Sequence, residues 1–239
     1  TIETTSDSAG IAVDSSGNVY FADPITGDVK KISSDTGLTS TLYTLTEPKG
    51  LVIYNNNLFV SDSFDSKIYK FDLSNSSPTP VLFAGGGASV VSNNANPLSV
   101  LLEKPDSISV DSSGNVYFSD TISGNDVILK VNSAGTSINI VAGNSTSILD
   151  NVSATNAKLN SVGGLVVDSS NNIYFSDSGT KKIRKINTSG VVSTVVGTGA
   201  STPVFVEDNY PLEEAIGIPS GLTINSSGNL YFQDIDNSI

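Results

Sequence analysis

The sequence predicts an all-β chain assembled from like four-stranded units, and three observations carry that expectation. One phrase returns along the chain: DSSGNVYFAD at 14–23, DSSGNVYFSD at 111–120, DSSNNIYFSD at 168–177, NSSGNLYFQD at 225–234, and a worn copy, IYNNNLFVSD, at 53–62. Its closing aspartates, Asp23, Asp62, Asp120, Asp177 and Asp234, stand 39, 58, 57 and 57 residues apart. Self-similarity on that scale belongs to an array of one supersecondary unit. The apolar runs are short, rich in β-branched and aromatic residues, and separated by turns of Ser, Asn, Asp and Gly, as strands in hairpins are. No segment sustains a 3.6-residue apolar period, so helix should be minor.

The fourth copy shows one unit in order. Gly164 to Val167 is an apolar first strand, and Asp168-Ser169-Ser170-Asn171 is its turn. Asp or Asn opening a turn accepts backbone N–H groups two residues on, and Gly or Asn later tolerates positive φ. Asn172 to Asp177 is the second strand, and a polar loop leads to Lys182–Ile186, which alternates as a half-exposed third strand. After Asn187-Thr188-Ser189-Gly190, Val191 to Val196 is the fourth. The first two runs are apolar on successive residues, which fits strands covered on both faces. The third and fourth are more polar, and nine of the 12 basic residues fall in the third runs. Inner strands buried on both faces and outer strands at a wet rim describe a blade of a β-propeller, where neighbouring blades cover one another.

At 239 residues the chain can bury a large core, roughly 70–75 % of its unfolded surface at this size. Hydrophobic residues make up 38 % and charged residues 15 %, which excludes a disordered composition. No apolar run reaches the ~18 residues of a spanning helix, so membrane insertion is not expected. Cys, His, Trp and Met are all absent, which rules out disulfides and thiolate or imidazole metal sites. The net charge of −12 disfavours nucleic acid, whose phosphates need clustered Lys and Arg.

The unit Gly–Ile/Leu–x–Val–Asp–x–x–Gly–Asn–Val/Ile/Leu–Tyr–Phe–x–Asp, followed by a polar loop and Val/Ile–x–Lys–Ile/Val, resembles the NHL repeat over essentially the whole chain. The connectors are similar too. Ala142-Gly143-Asn144 through Asp150, then Ala154-Thr155-Asn156-Ala157-Lys158-Leu159 and Gly163-Gly164-Leu165, look like that family's glycine-rich linker. The second repeat departs from it, with Tyr54 in place of Asp and a turn one residue shorter. The resemblance implies a propeller, six-bladed when complete with five-bladed as the alternative, forming one domain over residues 1–239 truncated at both ends. It further implies a non-enzymatic binding or scaffold module, extracellular or at the cell surface, contacting a protein or glycan. The rival readings are a propeller hydrolase or lyase using carboxylates and a divalent cation, and a structural unit of an extracellular assembly. The family's zinc lyases use His ligands, and this chain has none.

The repeated aspartates are tempting as bases or metal ligands. A residue that every unit needs at one place is better explained as satisfying backbone N–H groups where strand meets loop. Ser119-Asp120 and Ser176-Asp177 are no hydrolase signal, because a serine nucleophile needs an adjacent base. No cofactor is expected, with Ca²⁺ the one ion worth testing. Propeller topology would bring the second-to-third-strand loops and the linkers to one acidic face. That face is the candidate binding surface, with Asp120, Asp126, Asp177, Asp208, Glu213, Glu214, Asp234 and Asp236 its candidate residues. Five Asn-x-Ser/Thr sequons, at Asn75, Asn144, Asn151, Asn187 and Asn225, are candidate glycan carriers, Asn187 and Asn75 foremost because both lie at the outer rim. Residues 1–5 align with the fourth strand at Thr41–Leu45. They are therefore expected to complete an unfinished last blade, leaving an open sheet edge near Ile239 for self-assembly.

Overall fold

The computed structural model describes residues 10–200 and 215–235. The chain divides into two compact units, Thr1–Asp120 with Val131–Asn139 and Thr121–Lys130 with Ile140–Ile239. The expectations for residues 1–5 and for a third strand near Ile239 lie outside the described residues.

In the first unit, β1 (Ile11–Val13), β2 (Val19–Asp23), β3 (Asp28–Ile32) and β4 (Thr39–Thr44) form an antiparallel sheet in chain order. A second sheet repeats that order with β5 (Pro48–Tyr54), β6 (Asn57–Asp62), β7 (Lys67–Asp72) and β8 (Val81–Gly85). A third sheet has β9 (Ile108–Val110), β10 (Val116–Ile122), β11 (Asn125–Val131) and β12 (Ile138–Gly143) in the order β12-β11-β10-β9, with residues 121–130 and 140–143 assigned to the second unit. The second unit carries β13 (Val152–Ser153), β14 (Val162–Val167), β15 (Ile173–Asp177), β16 (Lys182–Ile186) and β17 (Val191–Val196), and then the pair β18 (Pro219–Ile224) and β19 (Leu230–Asp234). Helix is confined, among the described residues, to two single 3₁₀ turns at Ala154–Asn156 and Ser178–Thr180.

In the fourth unit, β16 and β17 cover the residues the pattern assigns to its third and fourth strands. Its sheet nonetheless has five strands, β13-β17-β16-β15-β14, where four were expected. The addition is part of the linker: the Asn151 N–H donates to the Val192 carbonyl at 2.7 Å, which draws Val152–Ser153 onto the outer edge of β17.

The worn second copy also has a physical account. Tyr54 pairs with Asn57 across Asn55 and Asn56, whose φ angles are 45° and 58°. Two consecutive residues at positive φ make a two-residue hairpin turn of the kind that suits strand twist. Such a turn has no i+4 donors for an aspartate to gather. Tyr54 instead reaches across to the third sheet, its hydroxyl donating to the Ser112 carbonyl at 3.1 Å.

Packing follows the two-residue alternation of the strands. Tyr20, Ala22 and Val29 on one face of the first sheet are buried in one cluster with Leu51, Leu58, Val60 and Phe71 of the second. First strands cross at still closer range. The Gly10 N–H donates to the Lys49 carbonyl at 2.8 Å, and a Cβ on Gly10 would lie 2.5 Å from that oxygen. At Gly50 the nearest backbone atom is the Asp106 carbonyl oxygen at 2.5 Å, and at Gly164 it is the Leu222 nitrogen at 2.7 Å. Gly10, Gly50 and Gly164 are needed because the next sheet's backbone fills the place of a side chain.

Candidate functional site

The repeated aspartates close each second strand, and the structure gives four of the five one task. Asp62 accepts the N–H groups of Thr46 at 2.9 Å and Glu47 at 3.1 Å. Asp120 accepts that of Lys104 at 2.6 Å, Asp177 that of Asn160 at 3.0 Å, and Asp234 that of Gly217 at 2.8 Å. Each donor stands 15 to 17 residues before its acceptor, in the linker entering the same sheet. The carboxylate latches that linker to the loop between strands two and three. Asp23 bonds its own loop, at Ile25 and Thr26 N–H groups 3.2 Å away. Lys30, 2.7 Å from Asp23, holds its carboxyl down at about 2.

Asp14, Asp111 and Asp168 organise the hairpin at the opposite strand end. In Asp111, Oδ1 accepts the N–H groups of Ser113 and Asn115, both at 2.9 Å, and Oδ2 accepts the Asn115 amide and the Tyr117 hydroxyl. Burial pushes these three carboxyls up, but their hydrogen bonds, foremost from Asn18, Asn115 and Asn172, outweigh it and hold all three below the ordinary aspartate value. Asn225 repeats the geometry with its amide oxygen.

The same contact acts on the tyrosines. Burial, then the hydrogen bond and charge of Asp14, push the Tyr20 hydroxyl up to about 12, and burial with Asp111 raises Tyr117 as well. A tyrosine that holds its proton more tightly when folded stabilises the fold below its unfolded value near 10 and loses that contribution as pH rises through 12. An ultraviolet pH titration should therefore show Tyr20 and Tyr117 ionising late. In Asp14→Asn, Tyr20 should ionise earlier. A single wave of ionisation near 10 would contradict the geometry.

Arg184, the chain's one arginine, sits in the third strand, which the sequence pattern places half in water. Its side chain is fully buried. Its guanidinium donates to Asp177 at 3.0 Å, to Asp150 at 3.1 Å, to the Lys158 carbonyl at 3.2 Å and to the Leu149 carbonyl. Thr194 closes the group through a 2.6 Å bond to Asp150. The linker that supplies β13 is thus folded over the sheet by one side chain, and that cover is why Arg184 is dry.

This geometry redistributes the candidate residues. Asp120 and Asp177 are buried and turned onto the chain's own linkers, so neither is presented to a partner. Asp234 is half-buried on Gly217. Asp126 is half-buried, its oxygens accepting the Thr121 hydroxyl at 2.8 Å and the Ser161 N–H at 2.5 Å. Asp208, Glu213, Glu214 and Asp236 lie outside the described residues. Among the described residues no three carboxylates gather as a metal-binding group. The sequon residues Asn75, Asn144, Asn151, Asn187 and Asn225 are all exposed.

Two residues were overlooked in the polar reading of the loops. Ile25 and Phe64 each stand two positions after a latch aspartate, 70 % and 74 % exposed. A lone apolar residue repeated at one place in an otherwise polar loop was the available signal. Ser63, beside Phe64, donates its N–H to the Glu47 carbonyl at 3.1 Å and its hydroxyl to the Pro105 carbonyl at 2.6 Å. Phe64 is therefore set on a braced loop between linkers carrying Glu47 and Glu103, next to Asp65.

Residues 130–239 match the model of the teneurin NHL domain. No curated protein matches. Among solved structures, the nidogen/laminin complex is similar with a TM-score of 0.68 at 20 % identity, covering 95 % of this chain and 72 % of that one. A luciferin-regenerating enzyme has a TM-score of 0.65 at 12 % identity, covering 98 % of this chain and 70 % of that one. A catalytically inactive virginiamycin B lyase from Staphylococcus aureus with quinupristin has a TM-score of 0.61 at 14 % identity, covering 98 % and 65 %. At such identities the likeness is one of fold. Among the described residues no helix is long and apolar enough to cross a membrane. With its repeated antiparallel sheets and its likeness to these structures, the chain has the β-propeller fold, and over residues 130–239 it is similar to the teneurin NHL domain.

Proposed function

We propose that this chain is a non-enzymatic protein-binding module, secreted or surface-displayed, that engages its partner through the linker-and-loop end of its blades. The observation that carries the reading is the pair Ile25 and Phe64, exposed on equivalent loops of consecutive blades. Large apolar side chains fixed on a rigid scaffold are what protein contacts use as anchors. The net charge of −12 favours a partner segment in which apolar residues alternate with Lys or Arg. The NHL resemblance supports the class, and the low-charge, Ser/Thr/Asn-rich composition supports placement outside the cell.

Immobilised chain should bind synthetic peptides alternating Leu or Phe with Lys or Arg and ignore acidic counterparts, the binding weakening with salt. Phe64→Ser should weaken it about tenfold, the size of a modest anchor. Equal binding by Phe64→Ser, or none by the parent, would sink the reading. The enzymatic alternative draws on the enzymes among the similar structures and calls for a cation on the carboxylates. Because the described latch carboxylates already accept backbone N–H groups, calcium up to millimolar concentration should leave the melting temperature unchanged. A clear rise would favour the rival reading, a metal-dependent hydrolase or lyase.

A further inference from the structure

A strand at the edge of a sheet offers unpaired N–H and C=O groups to any other extended chain. Two of the fourth strands here are covered by the linker that enters their own sheet. On β17 lies β13, held by the Asn151 N–H at 2.7 Å from the Val192 carbonyl. On β12 the Ile138 N–H donates to the Ala95 carbonyl at 2.9 Å. Both linkers are long, residues 86–107 and 144–161.

The second sheet has no such segment to use. Only residues 45–47 join β4 to β5, the structural side of the 39-residue spacing against 57 or 58 elsewhere. Its sheet ends at β8, with no strand on the outer side among the described residues. The Gly85 N–H, at the far end of β8, donates to the Pro97 carbonyl at 2.9 Å. At the near end Val81 is 63 % exposed.

That near end is where proline stands. Pro78-Thr79-Pro80 leads into β8, while Gly37-Leu38, Thr136-Ser137 and Ser189-Gly190 lead into β4, β12 and β17. Pro78 is buried, but Pro80 is half-exposed beside Val81. The registers show what Pro80 replaces. Lys70 faces Val81 as Lys185 faces Ser193, and the two lysines hold one place in their sheets, opposite Phe59 and Tyr174. One step back along the fourth strand, Pro80 stands where Val192 does, and Val192 is the residue that receives the linker strand. Proline has no N–H to give a ladder and is tolerated in sheets at strand starts and on edges.

We propose that Pro80 closes the outer edge of β8 to strand addition, doing with a missing donor what the entering linker does for β12 and β17. The chemistry it turns away is that of the strand seated on β17, an extended and uncharged segment like Asn151-Val152-Ser153. The rim of the second sheet is thereby kept out of binding by strand pairing.

Sedimentation velocity on the 239-residue chain tests this. Pro80→Val restores the donor and supplies the residue found at Val192. Its weight-average mass should climb with concentration to at least double that of the parent in the same series, as the opened edges pair. Adding Val81→Lys should return the mass to the parent's, because a lysine on an edge opposes pairing. That second change should leave the melting temperature where it was, since Val81 is already exposed. If Pro80→Val does not fold, Pro80→Ala restores the same donor with the smallest side chain and takes its place in both arms. A folded variant with the parent's mass at every concentration would overturn the proposal. So would extra mass that Val81→Lys leaves in place, since the association would then run through another surface. Phe64 is unchanged in every arm, so the loop contact stands or falls separately.

Discussion

Exchanging Arg184 for leucine should destabilise the protein by about 3–5 kcal/mol, because removing one partner of a buried pair leaves the other charge in the dry interior. Melting should fall by roughly 10 °C for a chain of this size. Asp177 is the group left behind, fully buried with its Arg184 contact at 3.0 Å. The loss is structural as well as electrostatic, since the carbonyls of Leu149 and Lys158 lose their donor too. Hydrogen exchange at Asn151 should accelerate more than at the amides of β15, because the linker strand is held by the guanidinium and the inner strand by its neighbours. Arg184→Lys should recover only part of the stability, since an ammonium cannot span two carboxylates and two carbonyls as a planar fork does. Replacing Asp177 and Arg184 together by leucine should cost less than Arg184→Leu alone. A loss below about 1 kcal/mol for Arg184→Leu would mean that the pair is wet in solution.

Alanine at Gly50 or Gly164 should destabilise by about 2–3 kcal/mol, the upper part of the range for forcing an extra methyl into a packed place. The atoms in the way are backbone, the Asp106 oxygen at 2.5 Å and the Leu222 nitrogen at 2.7 Å, and backbone yields less readily than a side chain. Alanine at Gly221 is the internal control. It occupies the same register, yet its new methyl meets nothing within 4 Å, so melting should hardly move. Ordinary strand propensity would favour alanine over glycine at all three places, so a uniform small gain would show that the close crossing is not what selects glycine.

The architecture was legible because the repeat displays the same local physics five times. Turn aspartates and β-branched runs are local requirements, and the strands β16 and β17 fall on the residues the pattern assigns. Even the structural role of Asp62, Asp120 and Asp177 could be inferred, since recurrence in each unit argues against a single active site. Which N–H groups they hold could not. Their donors lie 15 to 17 residues upstream, and only the folded blade brings that linker beside the loop.

The candidate surface was less legible, for a reason visible in particular residues. An acidic count over the loops treats Asp120, Asp126 and Asp177 alike. Burial of Asp120 and Asp177, and the bonds of Asp126 to Thr121 and Ser161, are set by contacts distant in sequence. Conversely, Phe64 reads as one apolar residue in a hairpin until the braces from Ser63 to Glu47 and Pro105 hold its loop with the ring exposed. Sequence by itself determined the all-β fold, the blade repeat and the acidity, because each follows from residue type and short-range spacing. Tertiary structure alone decided that Arg184 is dry, that a linker adds a fifth strand, and that Gly221 faces open space where Gly10, Gly50 and Gly164 do not. Those outcomes depend on which surfaces meet, and a period-two pattern records only which side of a strand is apolar, not whether another blade covers it.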